Sequence, residues 1–244
     1  MMSSLVILAA GMGTRLRDTV PKPLKVIHGV PLIVHQINRF YCHGISHFYI
    51  VTGYKEQLIQ EALSSYDYGC PVTVQFISNP HWEKGNGTSV YAAAQYLKGS
   101  FFLTMTDHVF SARFIKQFLD VSLNDKLPMS TLVTDVLGDH NTYLDLDDVT
   151  KVQTDKDGLI LNIGKELPVY NKVDTGLFYF TQEIECSLYK AQQHGNFSLS
   201  GGVDQLSCVQ RMGTYDCGKA FWMDVDTPGD FDYAVSIKDK DVFV

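Results

Sequence analysis

The chain has 244 residues, 45% of them hydrophobic, with 27 acidic against 20 basic side chains and a formal net charge of −7. That length and apolar content suffice for the core of one α/β domain, while the acidic balance argues against nucleic acid, whose binding rests on neutralising phosphates with Lys and Arg. Five cysteines (Cys42, Cys70, Cys186, Cys208 and Cys217) without a C-x-x-C pair or a secretory leader predict reduced thiols in the cytoplasm, and eight histidines without H-E-x-x-H spacing argue against zinc.

The first apolar run, residues 5–10, has strand length, is far too short to span a membrane and lacks the preceding positive charge of a signal peptide. Further strand-like runs at 47–52, 72–77 and 101–106 alternate with helix-like segments at 31–43, 55–65, 88–97 and 112–123. In the segment 31–43, Leu32, Val34, Ile37 and Phe40 recur near the helical period, and Pro31 suits the first turn. Alternation of this kind predicts βαβ units and a mostly parallel sheet flanked by helices. The second half reads differently, with short strands at 129–134, 150–154, 159–163 and 176–180 separated by turn residues such as Asp157-Gly158, which predicts added β structure over the sheet's carboxyl edge. No repeat, linker or low-complexity tract divides the chain, so residues 1–110 and 111–244 are read as two lobes of one domain.

The strand at 5–10 runs into Ala10-Gly11-Met-Gly13-Thr14-Arg15-Leu, followed by Pro21-Lys22-Pro23-Leu24-Lys25. A glycine turn presents backbone N–H groups, and three cations follow within a short span, which together make a phosphate-binding device. There is no G-x-x-x-x-G-K-[ST], which excludes a P-loop, and no third glycine or later ribose-binding acid for a dinucleotide fold. In open α/β sheets, ligands bind beyond the carboxyl ends of the strands, where this turn falls.

The A-A-G-x-G-T-R-L run with its downstream P-K-x-L resembles the opening of the nucleotidylyltransferases, which transfer a nucleotide from its triphosphate onto a phosphorylated acceptor. Within that family the chain is most similar to the CTP:inositol-1-phosphate cytidylyltransferase group, through Glu83-Lys84-Gly85-Asn86-Gly87, Thr104-Met-Thr-Asp107-His108-Val109 and Val173-Asp174-Thr175-Gly176. The resemblance runs from about residue 4 to residue 233. It implies a Rossmann-like, GT-A-like fold of the nucleotide-diphospho-sugar transferases, with a nucleotide-binding lobe and a β-rich acceptor lobe. It implies CTP and a small phosphorylated acceptor as substrates and Mg²⁺ as cofactor. Members of the group are often fused to a membrane-embedded synthase, so the product is expected to feed a membrane enzyme, although this chain reaches Val244 without a membrane segment. A homodimer is left open.

For the site residues, the resemblance implies that Arg15 and Lys22 grip the departing pyrophosphate and are the catalytic pair, with Ala10, Gly11, Gly13, Thr14 and Lys25 around the nucleotide. Gly85, Asn86 and Gly87 fall beside the base, with Asn86 at a helix start as the competing reading. Asp107, just past a buried strand, is the analogue of a metal-binding acid that also faces the nucleotide; Ser111 is better placed to cap the next helix. Asp224 and Asp226 lie two apart, so on a strand both would face one ion; related W-x-D and D-T-P contexts align to different ones, and Asp226 is favoured. His108, next to Asp107, is expected to face the opposite way. Lys165 and Asp174 match acceptor-binding positions, Lys151 is a further phosphate candidate, and a carboxylate at 174 suits polyol hydroxyls.

Three alternatives stay open. The segment Ile50-Val-Thr-Gly-Tyr-Lys-Glu-Gln-Leu resembles phosphocholine cytidylyltransferases, and Trp82, Trp222 and thirteen tyrosines could supply an aromatic box for a quaternary ammonium. A phosphonate or a sugar 1-phosphate would use the same chemistry. Outside enzymes, an inactive regulatory subunit of this fold would have lost the Arg, Lys or Asp positions, and Arg15, Lys22, Asp107 and Asp226 are all present.

Overall fold

The structure is a computed structural model that describes residues 4–13, 15, 19–124 and 127–243. In the first half, β1 (Ser4–Ala9) leads through the glycine turn to the short hairpin β2 (Val26–Ile27) and β3 (Val30–Pro31). There follow α1 (Leu32–Tyr41), β4 (His47–Thr52), α2 (Glu56–Ser64), β5 (Thr73–Ser78), α3 (Asn86–Leu97), β6 (Phe101–Met105), β7 (His108–Phe110) and α4 (Ala112–Asn124). The second half holds β8 (Ser130–Asp135), β9 (Lys151–Thr154), β10 (Ile160–Gly164), β11 (Lys172–Phe180), α5 (Glu183–Gln193), α6 (Leu199–Cys208), β12 (Met212–Asp216), β13 (Trp222–Asp224) and α7 (Pro228–Ser236).

One nine-stranded sheet runs through both halves in the order β10-β9-β11-β6-β1-β4-β5, with β8 branching from β11 and β12 pairing with β8. The pairs β1–β4, β1–β6 and β4–β5 are parallel, and β11 enters antiparallel to β6. The central strand β1 is apolar without alternation because both faces are covered, as parallel sheets require. Leu5, Ile7 and Ala9 pack on one side with α1 and α4, whereas Val6 and Leu8 pack on the other with α3, α5 and α6. Burial of Phe40, Phe48, Phe102, Phe114 and Phe118 on the first side, at about 2 kcal/mol per fully buried aromatic, supplies much of the hydrophobic drive.

Every strand and helix anticipated from the alternation is present, most with ends displaced by one or two residues, and β11 extends four residues further N-terminal than expected. The last extension matters because it carries Asp174 into the sheet. The sequence reading missed β7, β13, α5, α6, β12 and the short hairpin of β2 and β3. The first two are three-residue strands with no room for a period, and they pair antiparallel as a separate ribbon carrying Asp224 opposite His108. Among the described residues no helix is long and apolar enough to cross a membrane.

Candidate active site

The turn after β1 opens a cleft of about 350 Å³ at the carboxyl edge of β1 and β6, lined by Ala10, Gly11, Gly13, Arg15, Lys22, Asn86, Asp107 and Asp226. Thr14 lies outside the described residues. Gly13 has φ +62°, and a Cβ there would stand 3.2 Å from Lys22 Cβ, so glycine lets the loop turn back over the lysine stem. Lys22 itself opens a single 3₁₀ turn, Lys22–Leu24, fixed between Pro21 and Pro23.

The Lys22 ammonium donates to Asp107 Oδ2 at 2.8 Å and also to Asp226 Oδ1. Burial would depress this ammonium, but the two carboxylates outweigh it and raise its pKa above the ordinary lysine value. Arg15 donates to Asp226 and to Asp148, and those carboxylates likewise outweigh burial and raise the guanidinium. Burial alone would raise Asp107; Lys22 and His108 instead hold its carboxyl far below the usual range.

Asp107 sits in the turn between β6 and β7, and its backbone carbonyl accepts from Val225 N at 2.8 Å, which ties it to the loop after β13. The expectation that His108 would face away from Asp107 fails for this reason: strand alternation does not apply in a turn, and His108 Nδ1 lies 2.8 Å from Asp107 Oδ1. Burial would lower the imidazole, but the hydrogen bond to Asp107 and the nearby carboxylates raise its pKa. Ser111 Oγ accepts from Phe114 N at 3.3 Å, so it caps α4 and leaves Asp107 uncommitted to that helix. Asp226 is similarly free of capping. Thr227 Oγ1 accepts from Asp230 N, Asp230 Oδ2 accepts from Thr227 N, and Pro228 occupies the first turn, a complete capping box for α7.

A second cavity of about 210 Å³ adjoins the first and shares Asn86, Asp107 and Asp226 with it; its far side is formed by His108, Asp148, Thr150, Lys165, Asp174 and Asp224. Asp174 Oδ1 accepts from Gly176 N at 2.7 Å across an irregularity in the β11–β8 register. Gly176 has φ +78°, and a Cβ there would fall 2.1 Å from the His108 ring, so only glycine admits the imidazole. Burial pushes the Asp174 carboxyl up to about 6. Burial also raises Asp224, against the pull of His108 and with help from Asp226 and Asp107.

Several residues singled out from the sequence lie elsewhere. Lys25 sits over the Phe231 ring at 5.1 Å. Lys151 donates to Lys165 O at 2.9 Å and sits over Tyr170, lining neither cavity. Gly85 and Gly87 are glycine for packing, since a Cβ on either would meet the Phe197 carbonyl within 2.7 Å. Asn86 is the first residue of α3 and lines the cleft, and its Oδ1 accepts from Leu199 N at 2.8 Å, which ties α3 to α6. Trp82 lines the first cavity and Trp222 the second, and Trp222 donates to buried Asp135 at 2.8 Å, so the two do not build one aromatic box.

The residue that sequence reasoning overlooked is Asp148. It lies in the irregular stretch between β8 and β9, where no period or motif marks it; only the acid-rich run Asp145, Asp147, Asp148 could have drawn attention. Its carboxylate accepts from both Arg15 and Lys165, and those bonds outweigh burial and lower its pKa. One oxygen from each of Asp148, Asp224 and Asp226 come within 4.8 Å of one another, and Asp224 forms no ion pair with a described lysine or arginine. A set of hard carboxylate oxygens with surplus negative charge fits a divalent cation.

A glycine turn at the carboxyl edge of parallel strands, backed by an arginine, a lysine and a carboxylate group, defines a nucleotidyltransferase-type site. The MobA-like NTP transferase domain description matches residues 5–142, more than half of the chain, and the chain belongs to that family. It is 33% identical over 241 residues to the bifunctional IPC transferase and DIPP synthase of Aquifex aeolicus, covering 96% of this chain and 51% of that protein. The same-named protein of Thermococcus kodakarensis is 31% identical, over 91% of this chain and 48% of its own length. The chain thus spans about half the length of these relatives. Among solved structures, the inositol-1-phosphate CTP transferase from T. maritima superposes with a TM-score of 0.78 at 23% identity, over 96% of this chain and 95% of that one, and so shares the fold.

Proposed function

We propose that this chain transfers a cytidylyl group from CTP to inositol 1-phosphate in the cytoplasm, giving CDP-inositol and pyrophosphate, with Mg²⁺ as the cation. The observation that carries the reading is the convergence of Arg15 and Lys22 with Asp107 and Asp226 in one cleft that opens onto a second cavity holding Lys165 and Asp174. The relatives named above supply the choice of base and acceptor.

In this reading an acceptor phosphate oxygen attacks the α-phosphorus of CTP in line; the new P–O bond forms as the bond to the β-bridging oxygen breaks, and the electron pair leaves with pyrophosphate. A phosphate monoester with a second pKa of about 6 is already an anion near neutral pH, so no general base is required. The work is positioning and charge neutralisation. Backbone N–H groups at Ala10, Gly11, Gly13 and Thr14 and the cations of Arg15 and Lys22 receive the triphosphate, and Asn86 faces the base. Lys165 holds the acceptor phosphate, and Asp174 accepts hydrogen bonds from ring hydroxyls. Mg²⁺ held among Asp107, Asp224 and Asp226, with Asp148 beside them, would neutralise phosphate charge. Lys22 and Arg15, paired with carboxylates in the free protein, exchange those partners for phosphate oxygens when nucleotide and cation arrive together. The product would pass to a membrane-embedded enzyme that consumes it.

The test is a matrix of CTP, UTP, ATP and GTP against inositol 1-phosphate, phosphocholine, 2-aminoethylphosphonate and glucose 1-phosphate, with pyrophosphate release measured with and without Mg²⁺. Release confined to CTP with inositol 1-phosphate supports the proposal. Release with phosphocholine alone would move the acceptor and leave the transfer chemistry in place.

A further inference from the structure

The nucleotide cleft and the acceptor cavity are bridged by one side chain. Asp148 Oδ2 accepts from Arg15 Nη1, and Asp148 Oδ1 accepts from Lys165 Nζ. Arg15 lines the first cavity and Lys165 the second. Both cations are about half exposed and Asp148 is 28% exposed, so water screens both pairs and a phosphate of higher charge can displace either. Asp148 also has somewhere else to go, because it stands within the group formed with Asp224 and Asp226.

We infer that Asp148 is a positioning residue that couples the two substrates, holding Lys165 away from the acceptor phosphate until the nucleotide and its divalent cation bind. The inference rests on the function proposed above. In the free protein an acceptor dianion entering the second cavity meets Asp107, Asp148, Asp174, Asp224 and Asp226, with His108 bound to Asp107, around a single lysine already occupied by Asp148. That is a poor phosphate site. When the triphosphate takes Arg15, Asp148 loses one partner, and with Asp224 and Asp226 it would help to hold a divalent cation, a role that would loosen its carboxylate from Lys165. Lys165 is then released toward the acceptor at the moment the α-phosphorus is in place. Binding in this order also keeps the acceptor from occupying an empty enzyme.

The coupling is a ratio of affinities and is reciprocal between the two ligands, so it can be read without turnover. Inositol 1-phosphate is titrated calorimetrically into the full chain, alone and in the presence of Mg²⁺ with α,β-methylene-CTP, for the wild type, Asp148→Asn and Asp148→Glu. In the wild type the acceptor Kd should tighten by about tenfold or more on adding the nucleotide, within the usual range of such couplings. Asp148→Asn should bind acceptor more tightly than the wild type without nucleotide and keep only a two- to threefold gain with it. Asp148→Glu, which restores the charge, should recover most of the ratio, a result that a merely structural role for Asp148 would not produce. An unchanged ratio in Asp148→Asn, with nucleotide affinity intact, overturns this inference alone. Failure of the wild type to bind the nucleotide analogue, or to bind either inositol 1-phosphate or phosphocholine beside it, overturns the proposed function and this inference with it.

Discussion

The two cavities are built on different principles. The first cavity takes much of its lining from the segment that follows the parallel strand β1, where Ala10, Gly11 and Gly13 precede the two cations Arg15 and Lys22. The second cavity, which the proposal gives to the acceptor, takes one side chain at a time from loop 136–150, from Lys165 just past the end of β10, from β11 and from β13. Backbone recognition needs glycine at fixed offsets and leaves a motif. Side-chain recognition assembled by tertiary contacts leaves none. The charge states differ too: Lys22 holds Asp107 strongly acidic on one side, whereas burial lifts Asp174 to about 6 on the other.

The sharpest way to break the comparison is at Lys22. Lys22→Met leaves Asp107 and Asp226 facing each other without the ammonium between them, and removing one partner of a buried pair costs about 3–5 kcal/mol. Turnover should fall by roughly 10³-fold or more, as for loss of a main charge-stabilising group, and thermal unfolding should shift down clearly. Arg15→Ala should lower turnover by roughly 10²- to 10³-fold while unfolding barely moves, because its half-exposed pairs are worth at most about 1 kcal/mol. Equal destabilisation by both variants would show that the two cations do not occupy distinct environments. Normal turnover in Arg15→Ala would refute its assignment to the leaving pyrophosphate.

On the acceptor side, Gly176→Ala places a methyl against the His108 ring and strains a residue at φ +78°. The expected cost is on the order of 3 kcal/mol, and the displaced imidazole should weaken acceptor KM more than nucleotide KM. A smaller effect with a definite sign comes from Asp174. Its folded pKa of about 6 lies above the unfolded value of about 3.9, so the fold carries the full cost of an ionised buried carboxylate above pH 6 and almost none below pH 4. Asp174→Asn keeps an oxygen for Gly176 N and should therefore stabilise the metal-free protein by up to about 3 kcal/mol at pH 7, with the gain vanishing as the pH falls to 4. Urea unfolding of both proteins at the two pH values measures it, and a gain that grows toward acid would reverse the assignment.

The sequence carried the sheet, its covering helices and the nucleotide edge because each rests on local signals: the unbroken apolar run of β1, the helical period from Leu32 to Phe40, and Gly11-Met-Gly13 ahead of Arg15 and Lys22. What it withheld was set by tertiary geometry. Asp224 and Asp226 were read as neighbours on one strand, but β13 ends at Asp224 and Asp226 reaches the same place from a loop whose cap falls on Thr227. The resemblance puts Gly85 and Gly87 beside the base, but the atoms their missing side chains would strike belong to Phe197 and Ser198, more than a hundred positions away. Asp148 had no local signature because its partners, Arg15 and Lys165, come from opposite cavities.

The smallest expected effects separate two lysines that looked alike in sequence. Lys151 and Gly164 are register partners across β9 and β10, and Lys165 is the next residue along. Lys151 turns to the backbone carbonyl of Lys165 and the Tyr170 ring, whereas Lys165 reaches Asp148 in the cavity. Lys165→Ala should raise the acceptor KM by about tenfold or more, since a charge-assisted hydrogen bond to phosphate is worth about 1.5–3 kcal/mol, with the nucleotide KM little changed. Lys151→Ala should change either KM by less than about threefold, because the side chain supports the strand end that presents Lys165 without entering the cavity. If Lys151→Ala weakens the acceptor as much as Lys165→Ala does, the phosphate lies nearer the mouth of β9 than the cavity implies, and the division between a gripping lysine and a supporting one is wrong.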